Sequence, residues 1–189
     1  VNKILNSKNI LKWYTQNYDK SIIHPKLDYY PIGLDLHCKG YLPDSNKNFD
    51  REKLIKEKIL IYHDLRKKYN SSNKKINKIF CDAHLRHSHP SRPIMYEKIK
   101  NNKLINFQNE RVKIQDIFEK FASHRFVLSP RGNGLDCHRT WEIFLLGSIV
   151  ITETSSLDQM YIDNNLPVII LNDYNELNNY DINKLNELY

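Results

Sequence analysis

The sequence lacks the features that mark membrane-spanning, secreted and disulfide-bonded proteins. None of its apolar runs reaches the roughly 18 residues that a membrane-spanning helix needs. Its amino terminus shows no signal-peptide pattern and no initiator Met, so the chain can be a piece of a longer protein. Three widely spaced cysteines, Cys38, Cys81 and Cys137, do not form the even set of a disulfide framework. A reducing, cytoplasmic compartment is therefore expected.

Alanine is scarce, occurring only as Ala83 and Ala122, while Lys, Asn and Ile dominate. The formal net charge of +7 has two interpretations. A basic protein favours an anionic partner, such as a nucleic acid or a phosphorylated ligand. The base composition of an AT-rich genome would also raise lysine without any functional demand. A few well-placed arginines are thus more informative than the total charge.

A chain of 189 residues is long enough for one domain with an extension. Residues 1–45 are punctuated by prolines and read as a linker or a strand-and-loop extension. Residues 46–189 alternate between helical periodicity and short apolar strands, which predicts a doubly wound, mostly parallel α/β sheet of the Rossmann-like kind. The predicted helices are 51–69, 90–100, 114–122, 137–146, 156–161 and 182–188, and the predicted strands are 76–81, 104–107, 125–128, 149–152 and 167–171.

The loop between the predicted strand 125–128 and the helix that follows it is the most informative segment. Two of the five glycines of the chain, Gly132 and Gly134, lie there, which predicts positive φ angles and a close approach to a ligand. Backbone N–H groups at a helix amino terminus favour an anion. Arg131 and Arg139 can donate paired hydrogen bonds to phosphate oxygens. These features together predict a diphosphate site at the carboxyl edge of the sheet.

The same loop contains polar residues with more than one interpretation. Asp136 is placed to cap the following helix. Glu142 follows Arg139 by three residues, so it can accept hydrogen bonds from ribose hydroxyls or pair with Arg139. Asn133 and His138 add polar groups to the loop. A purely structural turn with a capped helix is the alternative explanation of the whole segment.

The segment Ser-Pro-Arg-Gly-Asn-Gly-Leu-Asp-Cys-His-Arg-Thr-Trp-Glu, at 129–142, resembles the donor-binding segment of exostosin-like glycosyltransferases. The family pattern is a Pro-x-Gly turn, an Arg-x-x-Glu pair on the next helix and a small residue that leads into a hydrophobic strand. Arg139-Thr140-Trp141-Glu142 matches the pair, and Gly147-Ser148 leads into the apolar run 149–151. The resemblance is best over residues 126–171.

The resemblance implies the carboxyl-terminal, nucleotide-sugar-binding half of a GT-B glycosyltransferase. It implies a nucleotide-diphosphate sugar as donor substrate and no obligatory cofactor or metal. The acceptor, a glycan, a protein or a small molecule, is not identified. The acceptor domain of the family would be missing, or reduced to a remnant within residues 1–45. The predicted donor-binding residues are Arg131, Gly132, Asn133, Gly134, Asp136, His138, Arg139, Glu142 and Arg86.

A second polar cluster follows the predicted strand 76–81 and contains His84, Arg86, His87, His89 and Arg92. In a doubly wound sheet this loop lies at the same edge as the glycine loop, so its arginines can reach the diphosphate from the other side. The candidate catalytic residues are His84, Arg86 and Arg139. A metal site with Cys81 among its ligands, and plain surface polarity, are the rival interpretations.

Two other functions compete with sugar transfer. A non-catalytic nucleotide-sugar-binding module is consistent with half of a two-domain enzyme. A basic nucleic-acid-binding protein is consistent with the charge, but no RNA- or DNA-binding motif occurs and the lysines are spread along the chain. Two further segments are candidates either for lining the site or for local turns and helix caps. They are Gly33 with Asp35, and the run Thr154-Ser155-Ser156.

Overall fold

A five-stranded, fully parallel β-sheet forms the centre of the protein. A computed structural model describes residues 1–36, 50–82, 89–108, 110 and 112–189. The strands of this sheet are β3 (Ile76–Cys81), β4 (Ile105–Phe107), β5 (His124–Leu128), β6 (Ile149–Glu153) and β7 (Val168–Leu171). Every neighbouring pair in the order β4-β3-β5-β6-β7 is parallel. Such a sheet requires a crossover between consecutive strands, and helices supply it.

The strand order places a topological switch point between β3 and β5. The chain leaves β3 toward one edge of the sheet to form β4, then returns to the other side of β3 to form β5. In doubly wound sheets the crevice beyond the carboxyl ends of the strands at such a point is the usual ligand site. The predicted Rossmann-like, doubly wound α/β fold is therefore confirmed, and both polar loops follow the two strands that flank the switch point.

Helices cover both faces of the sheet. They are α2 (Arg51–Lys68), α3 (Ser91–Ile99), α4 (Ile114–Ser123), α5 (His138–Leu145), α6 (Asp158–Asp163) and α7 (Ile182–Glu187), with 3₁₀ turns at Ser72–Lys74 and Tyr174–Asn179. On one face, Met95 and Ile99 of α3 pack with Leu185 of α7 against the sheet. On the other face, α2, α4 and α5 pack around Val127 and Val150. Alternate strand residues thus enter two separate cores, as a sheet with helices on both sides demands.

Local sequence signals explain where the helices begin and end. Asp50 caps α2 by accepting a hydrogen bond from the backbone N–H of Lys53 at 3.1 Å. Beyond α5, Gly147 takes a φ of 75°, and its N–H and that of Ser148 return to the carbonyls of Phe144 and Ile143. This arrangement is a Schellman motif, which glycine enters without steric strain. A glycine just after a helical segment is the usual sign of such an end, so the sequence itself marks where α5 stops.

The amino-terminal segment contains elements that the sequence did not predict individually. They are a short helix, α1 (Asn2–Leu5), and two strands, β1 (Trp13–Thr15) and β2 (Leu27–Tyr29), which pair in parallel. Three-residue strands are too short to show an alternating pattern, so periodicity does not reveal them. In the described part of the chain, no helix is long and apolar enough to cross a membrane.

Candidate functional site

The glycine loop lies beyond the carboxyl end of β5, directly at the switch point. Strand β5 ends at Leu128, and Ser129 continues its pairing by donating its N–H to the carbonyl of Ile151 at 2.8 Å. The Ser129 hydroxyl lies 2.8 Å from that of Thr140 on α5. Both side chains are buried. The two ends of the loop are thus fixed to the sheet and to α5, which makes the loop a rigid part of the crevice.

Arg92, at the start of α3, holds the turn in place from across the switch point. Its Nε donates to the carbonyl of Arg131 at 2.8 Å and its Nη2 to that of Pro130 at 3.3 Å. The residue is 7% exposed, and burial lowers the pKa of its guanidinium. These two donors bind and orient the loop. Contact of Arg92 with a ligand phosphate stays a prediction.

Arg139, in the first turn of α5, forms a two-point ion pair with Asp82 at the end of β3. The Nε–Oδ1 distance is 3.1 Å, and Nη2 donates to Oδ2 at 3.2 Å. Burial alone would lower the pKa of Arg139, but Asp82 and neighbouring groups raise that pKa overall. The remaining terminal nitrogen, Nη1, is buried and has no hydrogen-bond partner among the described residues. One edge of this guanidinium thus faces Asp82, and both N–H groups of Nη1 are left without an acceptor among the described residues.

Arg131 presents a second unpaired donor. Its Nε is buried without a hydrogen-bond partner in the described parts of the chain, while its own carbonyl accepts from Arg92. A buried donor without a partner costs free energy, because water no longer solvates it. Two such arginine nitrogens thus occur in the segment 131–139, and Oδ1 of Asp82 is also buried without a hydrogen-bond partner among the described residues.

The glycines serve close packing rather than unusual backbone angles. Neither Gly132 nor Gly134 has a positive φ, so that part of the prediction is wrong. A Cβ on Gly134 would lie 2.3 Å from Oδ1 of Asn17, and one on Gly132 would lie 3.2 Å from Sγ of Cys137. The close approach is therefore made by other parts of this chain, foremost by the side chain of Asn17.

Asp136 is not the helix cap that the sequence predicts. Cys137 occupies the cap position of α5 and its side chain makes no cap hydrogen bond. The buried Asp136 carboxylate accepts from the N–H of Ile32 at 2.6 Å and from Nε1 of Trp141 at 2.7 Å. Burial raises the pKa of Asp136 although both hydrogen bonds act in the opposite direction. Its role is to join the amino-terminal segment to the loop.

His138 and Glu142 are also engaged by other elements. Nδ1 of His138 lies 2.8 Å from the carbonyl of Gly33. Oε1 of Glu142 accepts from the hydroxyl of Tyr62 on α2 at 3.1 Å, and this carboxylate is 7% exposed. Burial raises the pKa of Glu142. Asn133 is exposed at the tip of the loop. Glu142 therefore does not form the hydrogen-bonded pair with Arg139 that is one of its two sequence-based interpretations. Its contact with ribose hydroxyls, the other interpretation, stays a prediction.

Part of the second cluster lies outside the described residues. This holds for His84, Arg86 and His87, so their predicted donor-binding and catalytic roles stay predictions. His89 is described, and its Nδ1 lies 2.9 Å from the hydroxyl of Ser91 and accepts the Ser91 N–H at 3.2 Å. Within the described ranges, no group of three or more His, Cys, Asp or Glu residues is placed to hold a metal ion.

Residues 17–33 lie across the loops that follow β5 and β6, and we call them the strap. Asn17 accepts the N–H of Asp136 at 2.8 Å. Ser156 donates its hydroxyl to the carbonyl of Tyr18 at 2.6 Å and accepts at its own carbonyl from Tyr29 at 2.9 Å. Gly33, with a φ of 68°, ends the strap at His138. The hydroxyl hydrogen of Ser156 is thus donated to the strap and not to a ligand.

Sequence reasoning missed several residues that build the site, among them Asn17, Tyr62 and Asp82. Asp82 directly follows an apolar strand at the edge where ligands bind, which is a signal that was present. Tyr62 and Asn17 lie 80 and 119 residues from their partners, so no local pattern marks them.

Comparison with known proteins adds no assignment. No protein-family model and no curated protein matches this chain. The functional argument therefore rests on the geometry of the crevice and on the resemblance of its loop.

Proposed function

We propose that the crevice between β3 and β5 binds the diphosphate of a nucleotide-sugar donor, and that the chain is the donor-binding half of an exostosin-like glycosyltransferase of the GT-B type. The order of the strands supports a ligand site at this position. The motif Arg139-Thr140-Trp141-Glu142 on α5 supports the family, and the arginines that surround the loop support an anionic ligand.

The observation that carries the proposal is the pair of buried, unpaired arginine nitrogens, Nη1 of Arg139 and Nε of Arg131. An anion with several oxygens would satisfy donors that no described protein group satisfies. Hydrogen bonds between ionised partners are about twice as strong as neutral ones. A diphosphate is the anionic part of the donors that the resemblance implies.

The ion pair with Asp82 is compatible with this role. Asp82 holds Nε and Nη2 of Arg139, so the guanidinium plane is fixed before a ligand arrives. Preorganised donors need no rearrangement when charge develops on a leaving group. In the proposed reaction the sugar–phosphate bond breaks, and Arg139 and Arg131 stabilise the negative charge on the departing nucleoside diphosphate. The residue that deprotonates the acceptor is not identified.

A donor-binding module without transferase activity is the second candidate. It is consistent with the site, because Arg131 and Arg139 are assigned to donor binding and no described residue is assigned to deprotonate an acceptor. The cytoplasmic location belongs to the same proposal.

The proposal is tested by thermal stability with a panel of uridine, guanosine, adenosine and cytidine diphosphates and their sugars. A ligand at 100 times its Kd adds about 2.7 kcal/mol to the free energy of unfolding. Arg131→Gln should raise the Kd of the best ligand by about tenfold to a hundredfold, because one charged hydrogen bond contributes about 1.5–3 kcal/mol. Exposed Lys78→Gln, the charge-matched control, should bind as the wild type does.

Arg139 needs a paired design. Arg139→Met alone leaves Asp82 buried and uncompensated, at a cost of about 3–5 kcal/mol. The double variant Asp82→Leu with Arg139→Met removes both charges, so it should regain most of that stability and still fail to bind the nucleotide. Wild-type affinity in this folded double variant would refute the assignment of Arg139. Nucleoside diphosphate release in an acceptor screen then separates an enzyme from a binding module.

A further inference from the structure

A second candidate site lies at the opposite edge of the sheet, where the strands begin. An open groove of about 600 Å³ runs between the end of α2, the end of α5 and the first residues of β5 and β6. This volume is within the range of roughly 300–1,000 Å³ that small-molecule sites occupy. The groove lies at the amino-terminal ends of the parallel strands, whereas the candidate crevice lies beyond their carboxyl-terminal ends.

Three cationic side chains line this groove, and its described lining contains no Asp or Glu. They are Arg66 from α2, Lys75 from the residue before β3, and Arg125 from β5. The side chain of Arg125 makes no hydrogen bond or ion pair within the described residues, and its guanidinium lies 5.5 Å from the centre of the Phe126 ring. The charged side chains that line the described part of the groove are thus all cationic.

Neutral groups hold two of these cations in place. Nζ of Lys75 donates to the carbonyl of Ala122 at 2.6 Å, the hydroxyl of Ser148 at 2.9 Å and the carbonyl of Leu146 at 3.4 Å. Nη1 of Arg66 donates to the carbonyls that end α5. Burial, together with a smaller effect of the charge of Arg66, lowers the pKa of Lys75 to about 8. Oxygen dipoles therefore position the ammonium but do not neutralise it.

We propose that this groove binds a phosphomonoester that carries an apolar or aromatic group. A phosphate dianion carries the charge opposite to that of Arg66, Lys75 and Arg125, and the side chain of Arg125 has no hydrogen-bond partner among the described residues. Phe144, Leu146 and Pro167 form an apolar wall beside these cations, which fits the uncharged part of such a ligand. The site is independent of the nucleotide-sugar proposal, because the residues that line the groove include none of the segment 129–142, nor Asp82 or Arg92.

The test uses phenyl phosphate as the probe, with inorganic phosphate and benzyl alcohol as its charged and uncharged parts. Binding is followed by NMR shifts of backbone amides and by the pH titration of ¹³C-labelled lysine side chains. We expect saturable binding of phenyl phosphate with shifts at Gly147 and Ser148, weaker binding of either part alone, and a rise in the pKa of Lys75 toward its ordinary value of 10.5.

Charge-removing variants complete the experiment. Arg125→Gln and Arg66→Gln should each raise the Kd of phenyl phosphate by about tenfold. Lys67→Gln removes the same charge from the neighbouring position of α2 and should leave this Kd unchanged. The proposal is overturned if no saturable binding occurs, if both arginine variants bind as the wild type does, or if the shifts are confined to residues 129–139. The titration of Lys75 in the wild-type protein needs no variant to fold.

Discussion

Buried charge is the main feature at the scale of single residues. Asp82, Glu142 and Lys58 are each less than 10% exposed, although such residues seldom enter a protein interior unpaired. Each has a partner from a distant element: Arg139 for Asp82, Tyr62 for Glu142 and the carbonyl of Asp35 for Lys58. The first two contacts join β3 and α2 to α5, and the third joins α2 to the segment that follows the strap.

Glu142 gives a prediction about pH. Burial raises its pKa in the folded state, so the folded protein holds this proton to a higher pH than the unfolded chain does. Stability that protonated Glu142 contributes is present below its ordinary pKa of 4.5 and is lost as the pH rises to the folded-state value. Glu142→Gln should therefore match the wild type at low pH and become the more stable protein toward neutral pH.

Urea unfolding of both proteins between about pH 4 and pH 8, a range that starts below the ordinary pKa of a glutamate, measures this difference. The exposed Glu187→Gln is the charge-matched control and should follow the wild type. A Glu142→Gln variant that is destabilised equally at every pH would contradict the prediction.

At the scale of elements, the strap and the glycine loop form one unit. Asn17 lies in the left-handed region, with a φ of 50°, and its amide packs against Gly134. The strap thereby contacts the amino-terminal end of α5, where the sequence predicts a ligand. The shape of the loop depends on this contact as much as on its own residues.

Gly134→Ala tests the contact between the strap and the glycine loop, because the added methyl group overlaps the Asn17 amide. We expect a loss of about 1–3 kcal/mol in the free energy of unfolding, as is usual for overpacking. Asn17→Gly tolerates the positive φ and removes the overlapping atoms. In the double variant the two losses should therefore be less than additive.

The exposed loop residue Asn133, changed to Ala, controls for substitution in the same turn. Its effect should lie within about 0.5 kcal/mol of zero. Strictly additive losses for Gly134→Ala and Asn17→Gly would show that the two residues do not contact each other in solution.

At the scale of the whole molecule, burial is uneven. Phe126, Val127 and Leu128 of β5 and Val150 and Ile151 of β6 are fully buried, whereas no residue of β1 or β2 is. Elements with few buried contacts open at lower free energy than the core. The β1–β2 pair should thus open separately from the five-stranded sheet.

Native-state hydrogen exchange measures this order. Amides of β5 and β6 should exchange only through global unfolding, with the denaturant dependence of the whole protein. Amides of β1 and β2 should exchange faster, through local opening. Equal protection of β1 and β5 would show that the amino-terminal segment belongs to the same cooperative unit as the sheet.

The sequence by itself determined the elements and the edge of the sheet where the glycine loop lies. The predicted strand 76–81 is reproduced in full, and most other predicted boundaries in residues 50–189 agree within a residue or two. This succeeded because buried apolar runs, helical periodicity and Gly147 as a helix terminator are local signals. The parallel order then places the loops after β3 and β5 at one switch point.

Only the tertiary structure decided which groups meet at that point. Arg139 forms an ion pair with Asp82, and Glu142 accepts a hydrogen bond from Tyr62. Asp136 accepts one from the N–H of Ile32, and Asn17 packs against Gly134. Local sequence patterns predict Asp136 as a helix cap and the two loop glycines as positive-φ positions, because such patterns compare a residue only with its neighbours in the chain. Hydrogen bonds and ion pairs depend instead on distances across the fold, which a periodic pattern does not contain.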